Sequence, residues 1–361
     1  MKYSINSSAS KSAYMQLYEQ LRSDIVGKAY EYGKKLPSKR LLAEETGVSV
    51  ITVEHAYSIL CDEGYVESRQ RSGYFVIYKE SDFLFSSESK PITTAPKHKP
   101  LHNQGSEIPF SVISRTMRKV LGDYGEDILV KSPNHGLAEL RSAISSYLAR
   151  SSGISVLPEQ IIIGSGAEYF YSLIVQLLGR EHIFALENPS YEKIRRVYEA
   201  CGVNCHMLKL SYDGILSREL DRTKASVLHI TPFNSFPSGA TATASKRREY
   251  LRWAEKRHGF IIEDNYDSEL TVSRKNEDTV FSLDSTGSVI YLNTFSKTVA
   301  PSLRAGYMVL PVTLLPLFEE KLGFYSCSVP VFEQLVLAEL INSGDFERHI
   351  NRIRRLRRKN L

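Results

Sequence analysis

The chain has 361 residues, of which 42% are hydrophobic and 24% charged, a composition typical of a globular protein long enough for two domains. Its four cysteines have no CxxC spacing, which argues against a zinc site and a disulfide framework and favours reduced thiols in the cytoplasm. No run approaches the roughly 18 apolar residues of a membrane span, and no cationic start precedes an apolar stretch, so neither membrane insertion nor export is predicted.

Three helical segments and a hairpin are predicted within residues 1–78. Apolar residues at three-to-four spacing predict a first helix over 13–28. Ser38 is placed to cap a second helix that Gly47 ends, and Ser49 to cap a third helix over 50–63. Two strand-like segments, 65–68 and 74–77, flank a basic turn. Two short helices split by a glycine turn and followed by a hairpin form a winged helix-turn-helix pattern.

This order of elements resembles the GntR family of winged-helix regulators. The matching motifs, within residues 10–78, are Leu36-Pro37-Ser38, Gly47-Val48-Ser49, Thr52-Val53 and Gly64-Tyr65. The resemblance implies binding to double-stranded DNA at paired promoter half-sites by a dimer. Val50 and Glu54 stand where the family often has arginine, so fewer phosphate or guanine contacts are expected from the third helix.

Polar and basic side chains at the ends of these elements are the candidate DNA contacts. Those at helix N-termini and in the wing turn would bind phosphates and position the domain, whereas Thr52 and His55 are the candidate base readers. The full set is Ser38, Lys39, Arg40, Ser49, Thr52, His55, Arg69 and Arg71.

Residues 79–109 are predicted to be a linker, because prolines interrupt a Ser-, Thr- and Lys-rich stretch without periodicity. The predicted domains are therefore 1–78 and 110–361. In the second domain, apolar strands beginning near Ile161, Ile183, Val227, Phe260 and Val289 alternate with helical segments. This alternation predicts an α/β fold with an open, mostly parallel sheet.

Chemically useful side chains follow four of these strands. Small residues at 164–167 precede a helix and predict an anion site at its N-terminus, Tyr191 follows the second strand, and Asp264 ends the fourth. The last strand is followed by Thr294, Ser296, Lys297 and Arg304. A lysine beside hydroxyls and a guanidinium is typical of a site where an amine condenses with an aldehyde cofactor whose phosphate is bound nearby.

These strand ends resemble the fold-type I aminotransferases, which use pyridoxal 5′-phosphate (PLP), and the resemblance runs from about Pro109 to the end. It implies that Lys297 is the catalytic Schiff-base lysine, that Asp264 pairs with the pyridine nitrogen, and that Tyr266 binds the ring hydroxyl. Tyr191 would stack on the ring, and the phosphate would be held by Gly166, Ala167, Thr294, Ser296 and Arg304. The family's Asn-Pro-Thr-Gly turn is Phe236-Pro237-Ser238-Gly239 here, so its asparagine contact is lost unless Asn234 supplies it.

A GntR-type winged helix joined by a linker to a fold-type I PLP-dependent transferase-like domain is the order found in the MocR regulators. The resemblance implies a transcription regulator that binds DNA and uses PLP to sense an amino acid, an amine or PLP itself. A PLP-dependent aminotransferase with an ancillary DNA-binding domain is the alternative. A poorly folded fragment that binds DNA without cofactor control is a third hypothesis.

The chain ends at Leu361 after two predicted helices, 333–341 and 346–359. The resemblance implies a further small domain whose arginine binds the substrate carboxylate, and no arginine here can be matched to it, so the chain is either naturally short or truncated. Without that domain, an apolar helix face is expected to lie bare, which favours a homodimer. The residues of this face are Phe332, Leu335, Val336 and Leu340.

The last fourteen residues carry seven positive charges and no acid. This pattern predicts the solvated face of a terminal helix, with a nucleic-acid contact as the alternative. The charged residues are Arg348, Arg352, Arg354, Arg355, Arg357, Arg358 and Lys359.

Overall fold

The computed structural model describes residues 3–6, 11–79, 108–271 and 278–359, and the chain divides into two compact units, Met1–Pro100 and Leu101–Leu361. The predicted linker over 79–109 lies almost entirely outside the described residues. Each unit has its own hydrophobic core. Within the described stretches, no helix combines the length and apolarity that a membrane span needs.

The first unit is a three-helix bundle with a β-hairpin. Its elements are α1 (Ala13–Val26), α2 (Lys39–Thr46), α3 (Val50–Asp62), β1 (Val66–Arg69) and β2 (Gly73–Val76), and the two strands pair antiparallel. The predicted helices and hairpin are therefore confirmed, although α1 ends two residues earlier than predicted, at the Gly27 cap. The core buries one face of each helix, with Leu21, Leu42 and Tyr57 fully enclosed.

Serine side chains begin both helices of the helix-turn-helix. Ser38 Oγ accepts a hydrogen bond from the Leu41 backbone N–H at 3.2 Å, and Ser49 Oγ accepts one from the Thr52 N–H at 3.1 Å. Between them, Gly47 ends α2 with a φ of 69°, in the left-handed region that favours glycine. Each serine cap is worth about 1 kcal/mol, so these local interactions help to fix the turn between the helices.

Over its described residues, the second unit is an α/β domain built on one eight-stranded sheet. Its strands are β3 (Ile161–Gly164), β4 (Ile183–Asn188), β5 (Asn204–Ser211), β6 (Gly214–Ile215), β7 (Val227–Ile230), β8 (Phe260–Asp264), β9 (Val289–Thr294) and β10 (Gly306–Val309). Its helices are α4 (Phe110–Tyr124), α5 (Ala138–Ser152), α6 (Ala167–Leu178), α7 (Glu192–Ala200), α8 (Ser217–Arg222), α9 (Ala244–Arg257), α10 (Val280–Leu283), α11 (Leu315–Leu322), α12 (Val331–Asn342) and α13 (Asp345–Lys359).

The strand order is β3-β10-β9-β8-β7-β4-β5-β6. Strands β5, β4, β7, β8 and β9 run parallel, whereas β10 is antiparallel to both β3 and β9, and β6 is antiparallel to β5. The predicted mostly parallel sheet is confirmed, but β5, β6 and β10 were not predicted. Because the parallel strands point the same way, β4, β7, β8 and β9 deliver the residues that follow them to one edge.

Helix α12 is buried, so the prediction that its apolar face lies bare was wrong. Leu335, Val336 and Leu340 are at most 4% exposed, and Phe332 is partly buried against the same core. Helices α4, α5 and α13 contribute residues to that core and together cover α12. Because this helix face is covered, it gives no reason to expect a dimer. The dimer prediction is therefore supported only by the family resemblance.

The turn before α5 needs a glycine for two reasons. Gly136 has a φ of 92°, and a Cβ built on it would lie 2.5 Å from Ile163 Cγ1. Gly153, at the other end of α5, has a φ of 65° but open space around its Cα. Alanine substitutions at Gly136 and Gly153 therefore distinguish the effect of backbone strain alone from that of strain combined with steric overlap.

We expect Gly136→Ala to lower the free energy of unfolding of the second unit by about 2–4 kcal/mol, and Gly153→Ala by about 1 kcal/mol, because only the first adds a steric clash to the strain. Urea unfolding followed by fluorescence measures both, since Trp253 is the protein's single tryptophan and lies buried in this unit. Equal losses for the two variants would show that the approach to Ile163 is not a constraint.

Candidate functional site

A cavity of about 410 Å³ lies in the second unit where β8 and β9 end and α6 begins. Nine of the ten predicted cofactor residues line it: Gly166, Ala167, Tyr191, Asp264, Tyr266, Thr294, Ser296, Lys297 and Arg304. Asn234, the tenth, is not among the lining residues. Five further residues, which were not predicted to bind the cofactor, contribute to the wall with polar or aromatic groups: Glu168, Tyr171, Lys193, Thr231 and Phe236.

Asp264 ends β8 at the floor of this cavity with 2% of its surface exposed. The Tyr171 hydroxyl donates a hydrogen bond to Oδ2, whereas Oδ1 has no partner among the described residues. Burial raises the pKa of Asp264 to about 6, and the bond from Tyr171, the nearby backbone N–H of Tyr266 and the charge of Lys297 oppose that rise. The free oxygen is therefore a buried acceptor that a donor in the cavity would satisfy.

A second buried group, His229 on β7, lies beside Asp264 with Nε2 3.8 Å from Oδ2. Its Nδ1 is 2.8 Å from the Tyr198 hydroxyl. Burial lowers the pKa of His229 to about 3, so the ring is neutral and does not offset the charge of Asp264. Sequence reasoning missed this histidine because it lies inside an apolar strand, where a core residue is expected.

Lys297 follows β9 and extends over the ring of Tyr266, with Nζ 4.2 Å from the ring centroid. Its nearest carboxylate is Asp267, whose Oδ1 is 3.8 Å from Nζ. Although about half of the side chain is exposed, desolvation inside the cavity dominates and lowers the pKa of Lys297 below its usual value. A larger fraction of the amine is therefore unprotonated than in an ordinary surface lysine.

Asp267 also binds the terminal helix. Arg357 Nη2 lies 3.4 Å from the same Oδ1, and its Nη1 donates to the Leu270 carbonyl at 3.1 Å. Arg354 Nε donates to the Glu269 carbonyl at 2.5 Å. Part of the basic C-terminal sequence is thus turned towards the segment after β8, and the predicted solvated face of α13 is only partly solvated.

The other end of the cavity is suited to an anion. Gly166 caps α6, and Gly166, Ala167 and Glu168 line the cavity, so the N-terminus of this helix borders it. Glu168 pairs here with two cations: Lys193 Nζ lies 2.9 Å and Arg304 Nη2 3.8 Å from its Oε1. An anion at this helix end would compete with Glu168 for both cations.

Tyr266 and Tyr191, the two tyrosines predicted to contact the PLP ring, contact other residues in the structure. The Tyr266 hydroxyl donates to the backbone carbonyl of Asn234 at 3.1 Å, so Asn234 reaches the site through its main chain. Tyr191 is 47% exposed and lies edge-on to Phe236, with ring centroids 6.0 Å apart. Phe236, which replaces the asparagine of the aminotransferase turn, therefore forms part of the wall.

In the first unit, several predicted DNA contacts also have structural roles. Ser38 and Ser49 are helix caps, and the Thr52 hydroxyl lies 2.9 Å from Ser49 Oγ. The exposed His55 packs edge-on against Tyr14, with ring centroids 5.5 Å apart. A DNA contact through the Thr52 hydroxyl would therefore share that hydroxyl with Ser49.

The basic candidates of this unit are not equally available. Lys39 Nζ forms an ion pair of 2.6 Å with Glu54 Oε1, which joins α2 to α3. Arg69 stacks over Phe75 at 4.6 Å and lies 3.5 Å from Glu67. Arg40 at the start of α2 and Arg71 at the tip of the wing are exposed.

Comparisons with known proteins agree with this architecture. The family described as bacterial regulatory proteins, gntR family, matches residues 13–76, and aminotransferase class I and II matches residues 100–358. The chain is 35% identical over 359 residues to the uncharacterized HTH-type transcriptional regulator YdeL of Bacillus subtilis, a match that covers 96% of this chain and 77% of YdeL. It is 29% identical to the probable rhizopine catabolism regulatory protein MocR of Rhizobium meliloti, over 95% and 74% of the two chains.

The chain belongs to the MocR-type family of HTH transcriptional regulators. Among solved structures, Pyrococcus horikoshii kynurenine aminotransferase in complex with PMP is similar to the regulator, with a TM-score of 0.63 and 26% identity. The match covers 69% of the regulator and 64% of that enzyme, so the regulator spans less than two thirds of the enzyme's length. Within its described residues, no cluster of side chains suited to a metal ion was found.

Buried carboxyls give the second unit of the regulator a predictable pH dependence. Burial raises the pKa of Glu187 to about 7, of Asp264 to about 6 and of Glu269 to about 7. A carboxyl whose pKa is higher in the folded than in the unfolded chain binds more protons when folded. Its contribution is therefore complete below the unfolded pKa and is lost as the pH rises through the folded value.

We expect the free energy of unfolding of this unit to fall between about pH 4 and pH 7, and Glu187→Gln to reduce that fall by a few kcal/mol, since one pKa unit corresponds to about 1.4 kcal/mol. Urea titrations followed by Trp253 fluorescence at several pH values measure the slope. Glu126→Gln, at an exposed carboxyl of the same unit, is the control. An unchanged slope in Glu187→Gln would contradict the assignment.

Proposed function

We propose that this chain is a PLP-dependent, DNA-binding transcription regulator of the cytoplasm. Its winged helix, residues 1–78, binds promoter half-sites, and residues 110–361 hold PLP and respond to an amino acid, an amine or PLP itself. Both halves of the family resemblance favour a homodimer. The single observation that carries the cofactor assignment is a lysine of lowered pKa in the same cavity as a buried, half-satisfied aspartate.

The residues around the cavity fit PLP in chemistry. When bound, PLP supplies an aldehyde that condenses with amines and a ring that accepts electrons. Asp264 Oδ1 needs a donor, which a protonated ring nitrogen provides, and Tyr191 offers an aromatic face for the ring. The phosphate would be bound by the N-terminus of α6 at Gly166 and Ala167, together with Thr294, Ser296 and Arg304.

Two lysines line the cavity, and their environments distinguish them. Lys297 and Lys193 each expose 48% of their side chains. Desolvation lowers the pKa of Lys297, whereas the hydrogen bond to Glu168 raises that of Lys193. Because only the unprotonated amine attacks an aldehyde, Lys297 is the reactive one of the pair.

We therefore expect borohydride treatment of the protein with PLP to leave a phosphopyridoxyl group on Lys297, as located by peptide mass mapping. Lys297→Ala should abolish the modification, and Lys193→Ala should retain it. Modification of Lys193 instead, or none in wild-type protein saturated with PLP, would contradict the cofactor assignment.

For the DNA-binding part, we expect Arg40→Ala to weaken binding to all duplexes and to reduce the slope of log affinity against log salt by about one, because one phosphate contact is lost. Lys11→Ala is the matched control: it also removes one positive charge from this unit, but Lys11 is paired with Glu19 on α1. Fluorescence anisotropy with promoter fragments over a salt series measures both. Identical slopes for the two variants would exclude Arg40 as a phosphate contact.

An aminotransferase with an ancillary DNA-binding domain is the second candidate function, favoured by the match of residues 100–358 to the aminotransferase class I and II family. It requires an amino group to move from an amino acid to a 2-oxo acid. Chromatographic detection of the new amino acid with wild-type protein, and its absence with Lys297→Ala, would favour the enzyme over the sensor.

A further inference from the structure

Helix α3, the second helix of the helix-turn-helix, has two distinct faces. Its buried face holds Val53, Ala56, Tyr57 and Leu60, all 0% exposed. Over residues 50–58 the opposite face is exposed and consists of Val50, Ile51, Glu54, His55 and Ser58. These five residues recur at spacings of three and four, so they form one continuous stripe along the helix. This stripe is the part of α3 that a DNA groove can meet.

The first turn of the stripe is apolar. Val50 is 41% and Ile51 is 68% exposed, although β-branched side chains are more often found inside. Helix α3 contains no lysine or arginine. Lys39 on α2 places a cation at this face, but its Nζ is paired with Glu54 Oε1 at 2.6 Å, so a base contact would compete with that pair. The bidentate contact of a cation with guanine is therefore missing from α3.

The exposed positive charge of this unit is carried by other elements and not by α3. Arg40 is exposed at the start of α2, and Arg71 is exposed in the wing. In a helix-turn-helix, the N-terminal residues of the second helix contact base edges, while neighbouring elements bind the backbone. Thymine is the one base that presents a methyl group in the major groove, and apolar side chains contact it.

We propose that Val50 and Ile51 are specificity-determining residues that contact thymine C5-methyl groups in the major groove. This inference rests on the proposed DNA binding and goes beyond it by naming the base that the helix reads. Each half-site then has thymine opposite the first turn of α3, and Arg40 and Arg71 supply phosphate contacts that do not depend on sequence.

The experiment uses the whole chain of 361 residues. An operator is selected from a pool of random duplex DNA, and each dT of the selected sequence is replaced in turn by deoxyuridine, which removes only the methyl group. We expect one or two dT positions per half-site at which deoxyuridine weakens wild-type binding about three- to fivefold, since burying one methyl-sized group is worth somewhat less than a factor of ten.

The variants provide a double-mutant cycle. Val50→Ala and Ile51→Ala should bind the dT operator more weakly and should lose the discrimination between dT and deoxyuridine at one position each. Val26→Ala removes an equally accessible branched side chain, 44% exposed at the end of α1, and should discriminate like the wild type. Because these side chains are exposed, alanine at these sites leaves the core intact.

Two results would overturn the inference in distinguishable ways. If an operator is selected but no deoxyuridine position affects wild-type binding, or if the effect persists in both alanine variants, the methyl contact is wrong while DNA binding stands. If no sequence is enriched from the pool, sequence-specific DNA binding itself fails, and this inference fails with it.

Discussion

The second unit depends on the burial of one carboxyl group at the end of β8. Asp264 is 2% exposed, and one of its oxygens has no partner among the described residues. Leaving a buried polar atom unsatisfied costs about 1–3 kcal/mol, and more for a charged group. The raised pKa of Asp264 expresses the same cost, since protonation removes the charge. The sheet can bear this cost because β8 is flanked by β7 and β9 and has hydrophobic cores on its two faces. A hydrogen-bond donor bound in the cavity would satisfy this oxygen and so offset the cost.

Whether the sequence predicted a given strand of this site depended on the kind of strand. Strands β3, β4, β8 and β9 are short apolar runs that end in polar or small residues, and all were predicted. Strand β10 was missed, although Gly306 pairs with both Gly164 and Thr294 and so joins two strand ends of the site. A Cβ at Gly306 would lie 2.7 Å from the Asn293 carbonyl, a close approach that no sequence pattern reveals.

Contacts between distant parts of the chain account for the remaining differences. Arg354 and Arg357 looked like part of a solvated face, but their partners are the carbonyls of Glu269 and Leu270, more than 80 residues away. The apolar face of α12 looked bare because the covering role of α4 and α5 depends on tertiary packing. In the sequence, His229 has the pattern of a core residue, but in the structure its Nε2 lies 3.8 Å from Asp264 Oδ2. Periodicity predicts which face of an element is buried, but it does not identify what lies against that face.

The first unit shows why a family resemblance predicts the fold more completely than it predicts the ligand. The matching motifs serve folding: Leu36 is 2% exposed, the Tyr57 hydroxyl donates to the Pro37 carbonyl at 2.7 Å, and Ser38 caps α2. Loss of such contacts would cost this unit stability. Positions 50 and 54 lie on the exposed face of α3, where substitution costs the fold little. The residues that we propose to read the DNA sequence are therefore among those that the resemblance leaves free.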